Sequence, residues 1–181
     1  ITLALQGRVS VLIAVQRFFA GTDSFILMAI PFFMLAGAIM DNGGITRRIV
    51  AFAKAIVGRI PGGLSAVNIL ASMIFGGISG SASADASALG SILIPAMERQ
   101  GYKRSYASAV TASSSSIGMI IPPSIPMVLY SFVSGVSLGA LFLGGLIPGI
   151  LIGVMLIAIS TLICLRRGYE VGGSWLGFKE I

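Results

Sequence analysis

Between Arg59 and Glu98 the chain carries one charged residue, Asp85, and it closes the run Ser79-Gly80-Ser81-Ala82-Ser83-Ala84-Asp85. A second hydroxyl-rich run, Ser113-Ser114-Ser115-Ser116-Ile117-Gly118, is followed by Pro122-Pro123-Ser124-Ile125-Pro126. Serine hydroxyls, free peptide carbonyls and a carboxylate are hard oxygen donors, which suit a monovalent cation such as sodium. Free peptide amides at the start of a helix suit an organic carboxylate instead. The sequence contains no histidine, which excludes a histidine proton relay or a metal site built on histidine. Paired carboxylates, a nucleophile motif and a phosphate-cradling glycine loop are missing too, so enzyme chemistry has no residues to stand on.

The sequence that must position these residues is built for lipid. Of 181 residues 56% are hydrophobic and 10% charged, and the mean hydropathy of +1.00 lies far above that of a soluble domain. The 24 glycines fit membrane helices, where neighbouring helices satisfy freed backbone groups. Lysines and arginines outnumber acids by 12 to 6. They stand in three clusters beside apolar stretches: Arg47, Arg48, Lys54 and Arg59; Arg99, Lys103 and Arg104; Arg166 and Arg167. That is positive-inside orientation of a membrane protein, not a nucleic-acid patch. The single cysteine, Cys164, allows no intrachain disulfide and should be packed or face lipid. Ile1 follows no basic n-region or cleavage site, which predicts no signal peptide and a piece of a longer protein.

The expected fold is an all-α, polytopic membrane protein. Residues 1–20 read as the tail of a helix and a loop, and Ser24 to Met40 as a span kinked at Pro31. Arg47 to Arg59 places Ile49, Phe52, Ala53 and Ile56 on one face, an amphipathic helix in the cytoplasmic interface. From Leu64 to Met97 there are roughly 34 residues, too many for one span and too few for two, with positive clusters at both ends. A re-entrant helical hairpin with its tip near residues 79–85 meets these constraints. Roughly 61 uncharged residues follow, from Ser105 to Leu165, enough for two spans. The first should stop near Ser116 and restart near Pro122 or Pro123, and the second should run from about Leu141 to Leu165. Three regions result. Residues 1–60 are scaffold-type helices with an arm helix at about 45–60. Residues 61–135 are transport elements, the hairpin at about 62–98 and the broken helix at about 105–135. Residues 136–181 are a scaffold-type span and cytoplasmic tail.

Interruptions deep in a bilayer are costly unless they line a polar cavity, and discontinuous helices mark binding sites in secondary transporters. The first hairpin arm and the first half of the broken helix end at this level with partly negative carbonyls, to which Ser79, Ser81, Ser115 and Ser116 add hydroxyls for sodium. The second arm, from about Ser83, and the second half-helix begin there with amide donors for a carboxylate. Asp85 allows two readings: a cation ligand or proton carrier, or, with Ser83, the N-cap of the returning arm. The serine run can also be small residues for close helix contact.

Four runs carry a family resemblance: Ala29-Ile-Pro-Phe-Phe-Met-Leu-Ala-Gly37, Gly77-Ile-Ser-Gly-Ser-Ala-Ser-Ala-Asp85, Pro95-Ala-Met97 with Gly101-Tyr102, and Gly118-Met-Ile-Ile-Pro-Pro-Ser-Ile-Pro126. In order and spacing, from about residue 15 to 155, the chain resembles the large membrane subunit of TRAP (tripartite ATP-independent periplasmic) transporters, the DctM type. The resemblance implies the ion-transporter superfamily, an elevator mechanism, sodium as coupling ion and the bacterial inner membrane. It also implies a small four-helix membrane subunit and a periplasmic solute-binding protein that delivers an organic acid. By that likeness Ser79, Gly80, Ser81 and the break at Ser116 and Gly118 fall in one sodium site, and Pro122, Pro123 and Ser124 border the substrate. The chain corresponds to about one of the family's two inverted repeats.

The leading expectation is therefore the permease subunit of a sodium-coupled importer of carboxylated solutes. Its rivals are a sodium- or proton-coupled anion permease or antiporter that needs no binding protein, and a membrane scaffold subunit that transports nothing.

Overall fold

The uncharged runs fold as helices, and glycines and prolines mark where most of them stop. The computed structural model describes residues 11–22 and 25–169. In order these form α1 (Val11–Thr22), α2 (Phe25–Asn42), α3 (Ile45–Val57), α4 (Gly63–Ser79), α5 (Ala82–Arg99), α6 (Arg104–Ser115), a 3-10 turn (Ser116–Met119), α7 (Ile125–Ser134) and α8 (Leu138–Arg167). No strand occurs among the described residues, in agreement with the all-helical expectation. Of residues 1–20, read as a helix tail and a loop, 1–10 lie outside the described residues and the rest are helical in α1, and α2 runs without a break through Pro31.

The centre of the fold is α4. Eleven of its 17 residues are buried, which no other helix matches, and it touches α2, α3, α5, α6, the 3-10 turn and α8. One side packs Val67, Ala71 and Phe75 against Ile49 and Ala53 of α3 and Leu89 and Leu93 of α5. The amphipathic pattern of α3 thus divides: Ile49 and Ala53 face the core, whereas Phe52 and Ile56 face outward and are more than half exposed. Another side of α4 sets Ile69 against Ile117 and Ile121.

Among the described residues only α8, at 30 residues and uncharged until Arg166, is by itself long and apolar enough to cross a membrane. At about 45 Å it exceeds the hydrocarbon thickness of about 30 Å. It starts and ends beyond the predicted Leu141–Leu165, because Ser137 caps it through Ala140 N at 3.4 Å and Gly168 terminates it. Its buried residues are Gly145, Gly149 and Gly153, one turn apart, and further along Ser160 and Cys164. A Cβ on Gly149 would stand 2.6 Å from Ile121 Cγ1, and Gly153 seats Met73. This small-residue stripe is how membrane helices come into close contact. The opposite face carries Leu143 and Ile147, each more than 70% exposed, a surface that water would not tolerate.

Candidate functional site

Two short connections meet in this bundle. The first joins α4 to α5 through Gly80 and Ser81 alone. Gly80 has φ +62°, the left-handed conformation that ends a helix, and its N–H donates to Gly76 O at 2.9 Å. The turn is tighter than the predicted 79–85: the returning helix begins at Ala82, because alanine and serine cost little in a first turn once the glycine has reversed the chain. Its N-cap position is Ser81, without a side-chain cap bond. The reading of Ser83 and Asp85 as the N-cap is thereby corrected. Ser83 is exposed and its hydroxyl lies 3.1 Å from that of Ser81.

The second connection breaks the next helix. α6 ends at Ser115, as expected near Ser116, and continues as the 3-10 turn. The restart is at Ile125 rather than Pro122 or Pro123, and the reason is Ser124. Its hydroxyl donates to Met119 O at 2.6 Å and accepts from Met127 N at 3.4 Å, an N-cap that also holds the broken ends together. Pro126 takes the first-turn position where a missing N–H costs nothing. The Pro122–Pro123 bond is cis.

The two connections touch. Ile125 N donates to Gly80 O at 3.3 Å. A Cβ on Gly80 would stand 2.7 Å from Pro123 O, and one on Gly77 3.5 Å from Pro122 O. The N-termini of α5 and α7 are therefore brought to one level, with Ser79 and Gly80 buried and Pro122 and Pro123 half-buried between them.

Beneath this contact lies Asp85, fully buried, in the first turn of α5 where a negative charge suits the helix dipole. Neither carboxylate oxygen has a hydrogen-bond partner. Oδ2 stands 3.4 Å from where a Cβ on Gly118 would be and 3.5 Å from the same point on Gly76, so it looks into the seam between two backbones. Ser115, at the start of the break, is also buried with a hydroxyl that bonds to nothing. A buried carboxylate without a partner is costly unless something coordinates it. The unpartnered groups here, a carboxylate and a neutral hydroxyl, are hard oxygen donors. Among the described residues no group of three or more histidines, cysteines or acids could hold a metal of higher charge.

The remaining candidates fall outside this seam. Ser116 is exposed and donates to Ser113 O at 2.7 Å, and Ser79 and Ser81 bond to each other around the turn, Ser79 Oγ accepting from Ser81 N at 3.3 Å. Sequence reasoning missed a buried polar ladder between α4 and α6. Asn68 donates to Thr111 Oγ1 at 2.7 Å, Ser72 and Ser114 hydroxyls are 2.9 Å apart, and Tyr106 Oη lies 3.1 Å from Ser65 Oγ and 3.0 Å from Ser160 Oγ of α8. Ser65 and Ser160 also bond directly. Cys164 is packed, its sulfur 3.3 Å from Tyr106 Oη. The spacing of Ser65, Asn68, Ser72 and Ser79 on one stripe of an apolar helix was the available signal.

A model of the family described as "Tripartite ATP-independent periplasmic transporter, DctM component" matches residues 1–174. The chain is 47% identical over 167 residues to the sialic acid TRAP transporter large permease protein SiaM of Vibrio cholerae, covering 92% of this chain and 39% of that protein. It is 39% identical over 163 residues to the C4-dicarboxylate TRAP transporter large permease protein DctM of Pseudomonas aeruginosa, covering 90% and 38%. It is 40% identical over 169 residues to the isethionate TRAP transporter permease protein DctMQ of Oleidesulfovibrio alaskensis, covering 93% and 27%. The chain thus spans well under half the length of these curated relatives, which are named as permeases of transporters, not as enzymes. It is a membrane protein of the DctM component family of tripartite ATP-independent periplasmic transporters.

Proposed function

We propose that this chain forms part of the inner-membrane permease of a sodium-coupled importer, which takes an organic anion from a periplasmic binding protein and works beside a small membrane subunit. The observation that carries the reading is Asp85, buried with both oxygens unpartnered at the seam of Gly76 and Gly118, beside a break whose Ser115 hydroxyl is equally without a partner. A coupling cation would neutralise the carboxylate and take up carbonyls left at the ends of α4 and α6. The N-termini of α5 and α7, held together through Gly80 and Ile125, would face the anion with amide donors. The relatives' names speak of sialic acid, a C4-dicarboxylate and isethionate, all organic anions, so the proposed substrate class is an organic anion carrying an acid group.

In this reading α4 and α5 form a hairpin that enters and leaves the bilayer on the cytoplasmic side, and α3 lies in the interface with Phe52 and Ile56 toward lipid. Movement is of elevator type. The buried bonds from Ser160 to Ser65 and Tyr106 tie α8 to α4 and α6, so we place α8 with the moving unit and not with the scaffold.

The test is uptake into proteoliposomes holding the full-length permease, its small subunit and its binding protein. An inward sodium gradient should drive accumulation. Uptake driven equally well by a proton gradient without sodium would overturn the coupling.

A further inference from the structure

A groove separate from the Asp85 seam runs toward the end of the bundle where Lys103, Arg104, Arg166 and Arg167 stand. It lies between α6 and α8 and has a volume of about 220 Å³. Its floor is Ile69 of α4, its walls are Ala109 and Val110 on one side and Leu156, Ile159 and Ile163 on the other. From Leu156 to Ile163 it extends about 10 Å along the helix. Ala109 and Ile159 on its lip are exposed, so it is open along that edge, and Asp85 is not among its lining residues.

What closes the groove at one end is charge. Tyr106 lines that end, and the Arg167 guanidinium carbon sits 5.7 Å from its ring centroid, held over the aromatic face. Tyr102 and Tyr169 stack with Tyr106 at centroid distances of 6.1 and 5.6 Å, which fixes the ring as a platform. Because Tyr106 also bonds Ser160 of α8, the start of α6 and the end of α8 stand side by side. Lys103, Arg104 and Arg166 are therefore gathered with Arg167, and all four are exposed. Among the described residues here, Glu98 pairs with Arg104 at 3.8 Å, and no ion pair to Lys103, Arg166 or Arg167 occurs among those residues.

We infer that this groove binds an anionic phospholipid of the cytoplasmic leaflet, with an acyl chain along Leu156 to Ile163 and the headgroup phosphate on Arg167 and Arg166. A water-soluble anion would find the arginines but leave the apolar groove bare. A zwitterionic lipid would fill the groove but gain little from the charges. Basic pockets between membrane helices on this side favour anionic headgroups for that reason. The inference rests on the reading that puts the start of α6 and the end of α8 at the cytoplasmic face of a membrane, and it is independent of sodium coupling.

The experiment uses the full-length permease with its small subunit, purified in detergent, and native mass spectrometry with phosphatidylglycerol or phosphatidylcholine titrated in. Phosphatidylglycerol should bind roughly tenfold or more tightly than phosphatidylcholine, about what two arginine–headgroup contacts supply. Arg166→Gln with Arg167→Gln should bring the two lipids to near parity, Arg166→Lys with Arg167→Lys should keep most of the preference, and Ala109→Trp, which fills the groove, should weaken both. Inorganic phosphate at the same concentration should not compete. Equal affinity for the two lipids, or a preference that survives the double glutamine variant, would overturn the proposal. So would a photo-crosslinker at Ile159 that labels protein instead of lipid, since another segment would then occupy the groove.

Discussion

Gly76 of α4 and Gly118 of the 3-10 turn meet backbone to backbone: a Cβ on Gly118 would stand 2.9 Å from the Gly76 Cα, closer than real side chains approach. Neither partner is the end of a flexible side chain, so neither can yield cheaply. Gly118→Ala or Gly76→Ala should push the hairpin off the broken helix and cost about 1–3 kcal/mol, the usual range for overpacking. The check is thermal unfolding of the full-length permease in detergent, alongside uptake. A melting temperature equal to that of the parent protein would show that the two backbones are not in contact.

Asp85→Asn keeps the shape of the side chain and removes its charge. A buried carboxylate without a partner is destabilising by itself, so the variant without sodium should melt no lower than the parent. If the seam holds sodium as proposed, the ion stabilises the folded parent, and the concentration for half the effect should rise at least about tenfold in the variant. Melting curves across a sodium series, with potassium as control, give the answer. Identical sodium dependence in both proteins would remove Asp85 from the site.

The helix-turn-helix over 63–99 and the break were legible because small polar residues and glycine interrupt the apolar run near its middle and two adjacent prolines stop a helix; that the pair re-enters the membrane stays part of the proposal. The details depended on tertiary contacts that no local pattern encodes. Ser124 reads as a polar residue beside prolines, yet its bond to Met119 O is what sets the restart at Ile125. Gly118 carried no signal of its own beyond the family resemblance, since its role is defined by Gly76, 42 positions away and on another helix. Ser65, Asn68 and Ser72 did carry one. They share a stripe of α4, but in a chain so rich in serine that stripe was lost among residues whose hydroxyls merely bond back to their own helix.

Tyr106→Phe should separate structure from transport. Its hydroxyl joins Ser65, Ser160 and Cys164, but the direct Ser65–Ser160 bond survives its removal. The loss should be about 1 kcal/mol or somewhat less, in keeping with hydrogen bonds inside membranes. A drop of a few degrees in melting temperature with nearly normal uptake is expected. Uptake abolished at unchanged stability would mean that this hydroxyl acts in the transport cycle.

The boundary of the moving unit can be tested at the same junction. Ser65 and Ser160 hydroxyls touch, so cysteines at both positions should form a disulfide with little backbone adjustment. Cys164, one turn from Ser160, must first become serine so that it cannot capture either partner. If α8 travels with α4, the oxidised Ser65→Cys/Ser160→Cys protein should transport as well as the reduced one, because the crosslink joins parts that never separate. If α8 instead stays with the scaffold while the hairpin slides, the same crosslink should block uptake and dithiothreitol should restore it. Slow or absent disulfide formation would contradict the contact itself. Uptake measured before and after reduction in a single preparation therefore distinguishes a joint displacement of α4, α6 and α8 from a slide of the hairpin along α8.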